Sequence, residues 1–286
     1  MSAVDGIAPN GTDTGPLTPV GAGAPEEQRG SQTVAAVERA ADVLLYFTRG
    51  NGPSLGITDI AAGLGLSKAA VHRVLASLRT RDLVELDENT RKYSLGPMAV
   101  VLGLAGLDRL DVRRTAAAEL PALSAATGET ATLSIRAGGT RVYVDQVTPA
   151  REMIMSVSIG VPYPLHAGAS SKAFLAFLSD EEIQDYLGAG GGALTPITPS
   201  TVTDVPKLLA DLELIRERGW ADSTGERQSG AASVAAPVRD RTGKPAAVIS
   251  VCGPAARFAE EKDRAVSELL ASTERLSMTL GFRRPS

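Results

Sequence analysis

The chain has 286 residues, 43% of them hydrophobic, and a formal net charge of −4. That length suits two cores of ordinary domain size, and its one cysteine, Cys252, excludes both an intramolecular disulfide framework and a zinc site built from several thiolates. No apolar run reaches the roughly 18 to 20 residues that cross a bilayer, and the N-terminus lacks the basic-then-apolar layout of a signal peptide. A cytoplasmic protein with no membrane partner is expected.

Residues 1–31 are rich in Gly, Pro, Thr and Ala and hold few large apolar side chains. They bury too little to offset the entropy of ordering, which predicts a disordered tail. From Thr33 the apolar residues Val34, Val37, Ala41, Leu44 and Leu45 recur at three- and four-residue steps. The spacing predicts a helix capped by Thr33, buried along that stripe and ended near Gly50-Asn51-Gly52-Pro53.

Residues Ile57 to Arg81 carry the densest pattern. Thr58 is placed to cap a short first helix that buries Ile60 and Ala61, Gly63 to Gly65 supplies a turn, and Leu66 fills the space between two helices. Ser67 is placed to cap a second helix. There Val71, Val74, Leu75 and Leu78 form one apolar stripe, and Lys68, Ala69, His72, Arg73 and Arg79 face outward with no acid among them. This is the layout of a helix-turn-helix. Lys68, Ala69, His72 and Arg73 are candidates for the major groove, with Ser67, its neighbouring amides and Arg79 on phosphates.

The hairpin that follows, residues 83–87 returning as 91–95, sets Arg91 and Lys92 near its tip, as a wing meeting the DNA backbone. A small helical fold with merely solvated charges would explain any one of these features. Cap, turn, stripe and wing together favour a winged helix-turn-helix DNA-binding domain over residues 32–96. The net negative charge does not oppose this, because nucleic-acid binding depends on a local patch.

Residues 97–127 read as two helices broken around Asp108 to Asp111, with 97–112 as a linker helix that joins the domains and supplies a dimer contact. Beyond Gly128 the period becomes two. Strands at Glu129 to Ile135 and Arg141 to Val147 flank a Gly138-Gly139 turn, and a third strand is expected at Met153 to Val157. Helices are expected at about 168–178, 180–187 and 204–218, strands at 231–239 and 245–252, and a last helix at 259–281. The fold class is α+β, an antiparallel sheet covered by helices, over residues 113–283.

Sharper chemistry is not supported. Cys252 and His166 lack a third group to orient them as a nucleophile and base, and Cys252 reads as a buried thiol within an apolar strand. In Ser170-Ser171-Lys172 the serine-to-lysine spacing of a lysine-activated nucleophile would select Ala169, and Lys172 is expected on the surface. Gly188 to Gly192 lacks the strand and lysine of a phosphate loop. His72 and His166 fall in different domains, so no metal and no cofactor are expected.

Three later segments complete a resemblance. They are Gly160 to Ala176 (GVPYPLHAGASSKAFLA), Ile215-Arg216-Glu217-Arg218-Gly219-Trp220, and Val234-Ala235-Ala236-Pro237-Val238 with Ala247 to Pro254. With the helix-turn-helix and in this order, from about Thr33 to Phe282, the chain resembles the IclR family of bacterial transcriptional regulators. The resemblance implies a winged helix joined to a GAF-like effector-binding domain, working as a dimer or dimer of dimers on operator DNA. It implies a small effector, an organic acid or aromatic metabolite, near Ala169, Ser170, Glu226, Ser233, Ser250 and Cys252. Ser171, Ser233 and Cys252 depart from the residues usual there. The expected function is a ligand-responsive regulator and not an enzyme, the alternatives being an enzyme with an accessory DNA-binding domain or a constitutive scaffold.

Overall fold

The computed structural model describes residues 34–49, 52–108 and 111–283. The expected tail at 1–31, the Thr33 cap and the Gly50-Asn51 part of the first turn lie outside them.

The first core is formed by α1 (Ala35–Tyr46), α2 (Ile57–Leu64), α3 (Lys68–Arg79) and the hairpin β1 (Val84–Asp87) with β2 (Lys92–Leu95). Ile60 and Ala61 of α2 meet Val71, Leu75 and Leu78 of α3, with Val84 and Tyr93 closing the hairpin side. Between the helices Gly65 takes the left-handed conformation, φ +64°, and the Leu66 amide returns to the Ala61 carbonyl at 2.9 Å. Ser67 caps α3, its hydroxyl accepting from the Ala70 amide at 3.2 Å. Leu55 exchanges two 2.8 Å backbone hydrogen bonds with Tyr93, adding a third edge to the hairpin.

Two expectations here need correction. α1 buries Val43 and leans Ala40, Leu44 and Phe47 on the core, whereas Val34, Val37 and Leu45 are 62%, 65% and 58% exposed. The helix is apolar on two sides, and periodicity alone does not say which side meets the core. α2 is capped by Gly56 and not by Thr58. The Gly56 amide donates to Asp59 Oδ2 at 3.2 Å, and Thr58 lies inside the first turn.

α4 (Pro97–Asp108) and α5 (Asp111–Thr127) lead into the second core. Its strands are β3 (Thr130–Ala137), β4 (Thr140–Val147), β5 (Pro162–Pro164), β6 (Ala221–Thr224), β7 (Ala231–Arg239) and β8 (Pro245–Pro254). They form one antiparallel sheet in the order β5-β4-β3-β8-β7-β6. Alternation divides its faces. Ala131, Leu133, Val234, Ala236, Ile249 and Val251 pack under α5 and α9 (Ala255–Thr279). On the other face lie α6 (Ala169–Leu175), α7 (Asp180–Gly188) and α8 (Val205–Arg218), held by Phe174, Leu208, Leu212 and Ile215. Each such fully buried side chain contributes about 1.5–3 kcal/mol.

The expected strand at Met153 to Val157 is not formed. Side chains take its backbone groups in place of a ladder: Gln146 donates to the Val157 carbonyl and accepts from its amide, both at 3.0 Å, and Thr130 Oγ1 donates to the Met155 carbonyl at 2.5 Å. The edge of β4 is occupied instead by β5, where prolines are tolerated because one side of the strand is unpaired. β6 is a strand that sequence reading missed, and α6 is shorter than expected.

Candidate functional sites

α3 presents Ser67, Lys68, Ala69, His72, Arg73 and Arg79 to solvent. Among the described residues Lys68, His72 and Arg73 enter no ion pair, so three donors stand unspent along one exposed helix face. The wing differs from expectation in one respect. Glu88 at its tip pairs with Arg91 at 2.8 Å and reaches Arg79 of α3 at 3.3 Å. Asp87 accepts from the Asn89 and Thr90 amides, at 2.8 and 3.2 Å, and so folds the tip. Arg91 sits in the left-handed region, φ +56°, outside the strand. Lys92 is the exposed cation that remains without such a pair.

In the second core the sheet face beneath α6 is polar, and a cleft opens there between β4, β7, β8, the start of α6 and the loop after β6. Arg141, Tyr143, Ala169, Ser170, Ser223, Glu226, Arg227, Ser233 and Cys252 line it. Five of the six expected ligand residues are thereby brought together. Ser250 is not: it lies on the same sheet face but outside the lining, its hydroxyl 2.6 Å from that of Thr132. The residues missed are Arg141, Tyr143, Ser223 and Arg227. The free space in the cleft is about 20 Å³, room for one water-sized guest.

Arg141 is 1% exposed. Its Nε donates to Ser171 Oγ at 2.8 Å, so one of the serines that depart from the resemblance braces this guanidinium. The guanidinium carbon lies 4.1 Å from the Tyr143 ring centre and 5.1 Å from that of Tyr163. Arg227, half-buried at the mouth, covers the same two rings at 5.7 and 5.4 Å.

Glu226 is already spent. Its Oε2 accepts from the Gly168 amide at 3.0 Å and its Oε1 from Lys172 Nζ at 2.7 Å. Lys172 also donates to Asp211 Oδ2 at 2.7 Å, and at 3% exposure it is buried and not on the surface as expected. Two carboxylates supply the compensation that burial of an ammonium demands. Cys252 is buried, and burial pushes its thiol up to about 11. Both ring nitrogens of His166 are engaged, Nδ1 at 2.7 Å from Tyr186 Oη and Nε2 at 3.0 Å from the Thr195 carbonyl, which braces the loop before α6.

Residues 36–88 match the model of the IclR helix-turn-helix domain, and residues 104–278 match that of the C-terminal portion of bacterial IclR transcriptional regulators. The transcriptional repressor AllR of Escherichia coli K12 is 32% identical over 260 residues, covering 91% of this chain and 94% of AllR. The crystal structure of an IclR transcriptional regulator from Alicyclobacillus acidocaldarius superposes with a TM-score of 0.77 at 32% identity, covering 87% of this chain and all of that one. An IclR homologue of Microbacterium hydrocarbonoxydans, solved in complex with 4-hydroxybenzoate, shares the fold at a TM-score of 0.71 and 20% identity, over 86% of this chain and 99% of that one. No helix among the described residues is long and apolar enough to cross a membrane. The winged helix-turn-helix and the helix-covered antiparallel sheet are thus those of a transcriptional regulator, and the chain belongs to the IclR family.

Proposed function

We propose that this regulator represses transcription from the cytoplasm by binding operator DNA as a dimer or dimer of dimers. Residues 32–96 read the DNA, 97–112 link, and 113–283 hold a small-molecule effector. The observation that carries this reading is the acid-free face of α3, where Lys68, His72 and Arg73 stand exposed beside Ser67 and Ala69. A helix so presented fits a major groove, its first residues on base edges and its flanking cations on phosphates. Repression is favoured by the relationship to AllR.

Pairing of two chains is supported by apolar surface that one chain leaves uncovered. Val37 and Leu45 on α1, Val34 at its N-cap, and Val100, Val101, Leu102 and Leu104 on α4, are all more than half exposed. The effector is assigned to the cleft at Ala169, Ser170, Ser233 and Cys252, since a fold of this kind holds a small acid in the Microbacterium homologue. Binding without turnover is supported by a thiol held protonated and a histidine with both nitrogens engaged. The effector then regulates by binding one arrangement of the dimer better than another.

The test is selection of duplexes from a random DNA pool, followed by anisotropy measurements on the winning sequence. Arg73→Ala is expected to weaken binding by about 1–3 kcal/mol. Unchanged affinity and sequence preference would remove α3 from the groove.

A further inference from the structure

The effector cleft contains more positive charge than its own residues neutralise. Arg141 is 1% exposed, and among the described residues its buried Nη1 has no hydrogen-bond partner. Arg227 closes over the same pair of rings. Among the described residues, burial aside, the largest electrostatic influences on Arg141 are Tyr143, Arg227 and Tyr163, and those on Arg227 are Tyr143, Tyr163 and Cys252, with no carboxylate among them. The one acid lining the cleft, Glu226, has both oxygens committed to Lys172 and the Gly168 amide.

Two like charges gathered in a half-closed space cost free energy unless an anion joins them. Aromatic faces offset only part of this, about 0.5–2 kcal/mol for each cation. The free Nη1 edge of a guanidinium is also the group that binds a carboxylate most specifically, because its donors match the spacing of the two oxygens.

We propose that Arg141 and Arg227 form a clamp for a small dianion, a short-chain dicarboxylate, with Arg141 as the fixed jaw and Arg227 as the moving one. Arg141 is fixed by Ser171 and the Tyr143 ring. Arg227 lies at the mouth on a flexible stem, and its displacement enlarges the roughly 20 Å³ of free space that the closed cleft retains. Ser170, Ser223 and Ser233 line the walls between them and supply neutral hydrogen bonds to the guest. The clamp deepens the effector-sensing reading above and rests on it.

The experiment is a melting-temperature and calorimetric titration of the full chain at constant ionic strength. The probes are oxalate, malonate, succinate and glutarate, set against acetate, benzoate and the neutral diamide malonamide. At least one dicarboxylate is expected to raise the melting temperature and to bind about tenfold or more tightly than any monoanion or the diamide. Arg227→Gln is expected to lower that affinity about tenfold or more and Arg227→Lys to recover part of it, with circular dichroism confirming that both variants fold. Equal binding of benzoate and dicarboxylates, or full affinity in Arg227→Gln, overturns the clamp while leaving effector sensing intact. If no probe, charged or neutral, shifts the melting temperature or the affinity for selected DNA, the clamp and the assignment of the cleft as an effector site both fall.

Discussion

Lys172 Nζ donates to Glu226 Oε1 at 2.7 Å with both side chains shut away from solvent, 3% and 8% exposed. The pair ties α6 to the loop after β6, whose Glu226 lines the cleft. Burial opposes the ammonium, yet Glu226 and Asp211 outweigh it and hold Lys172 above its ordinary value of 10.5.

Removing one partner strands the other. Lys172→Met is expected to cost about 3–5 kcal/mol, because it leaves a buried carboxylate uncompensated, whereas Lys172→Met with Glu226→Gln should recover much of the loss. A folded-state pKa above the unfolded one means the contribution is complete below about pH 10 and is lost as pH rises through the folded value. Urea titrations of the three proteins from pH 7 to 11 check both points, and a single variant as stable as the parent would show the pair to be energetically idle.

Glu88 restrains the wing. Its carboxylate faces Arg79 and Arg91, so two of the expected phosphate contacts are partly satisfied inside the protein. Both pairs are exposed and worth little to stability, so Glu88→Gln should leave the fold unchanged and free two cations for DNA. The expected outcome is tighter DNA binding whose log–log salt slope steepens by about 1–2. Binding isotherms between 50 and 300 mM salt measure it, and an unaltered slope would mean that the wing does not reach the backbone.

The helix-turn-helix was legible because its determinants are local. The Ser67 cap, the left-handed Gly65 and the Val71, Leu75 and Leu78 stripe lie within a short stretch, and local hydrogen bonds enforce them. The cleft was legible only in part. Ser250 and Cys252 share a face by simple alternation, whereas Ser233 came from the resemblance and pairs directly with Cys252 across β7 and β8. Arg141 and Tyr143 also share a face, but they alternate with Val142 and Val144, and alternation alone assigns a polar and aromatic set to no cleft. That side is covered by α6 to α8, and a sheet enclosed on both faces gives alternation no outside to point to. Lys172 was misplaced for a related reason, since its two carboxylates come from residues 211 and 226. On α1 the outward stripe and the inward residues have the same period.

That outward stripe has a measurable consequence. Val37 and Leu45 on α1, with Val101 on α4, lose little packing within one chain when made polar, since each is more than half exposed. Val37→Glu with Val101→Glu is therefore expected to keep the helical circular-dichroism signal and melting transition but to shift the sedimenting species towards monomer, through unpaired charge at an interface core. DNA affinity should fall with it, since two half-sites are then bound independently. A double variant that sediments as the parent does would place the contact elsewhere.

The thiol of Cys252 offers a readout of the cleft itself. Burial lifts it from 9.0 to about 11, and the thiolate is the species that alkylates. At pH 8 the thiolate fraction is then about 100-fold smaller than in the unfolded chain, so iodoacetamide should label the native protein at least that much more slowly than the protein in urea. Arg227, which opposes the lift through its positive charge, also covers the approach, and the two effects separate in Arg227→Gln. If charge dominates, the labelling rate falls in that variant. If the side chain is chiefly a plug over the cleft, the rate rises, an outcome that fits a jaw free to open. Mass spectrometry of the Cys252 peptide across pH 7 to 10 distinguishes them.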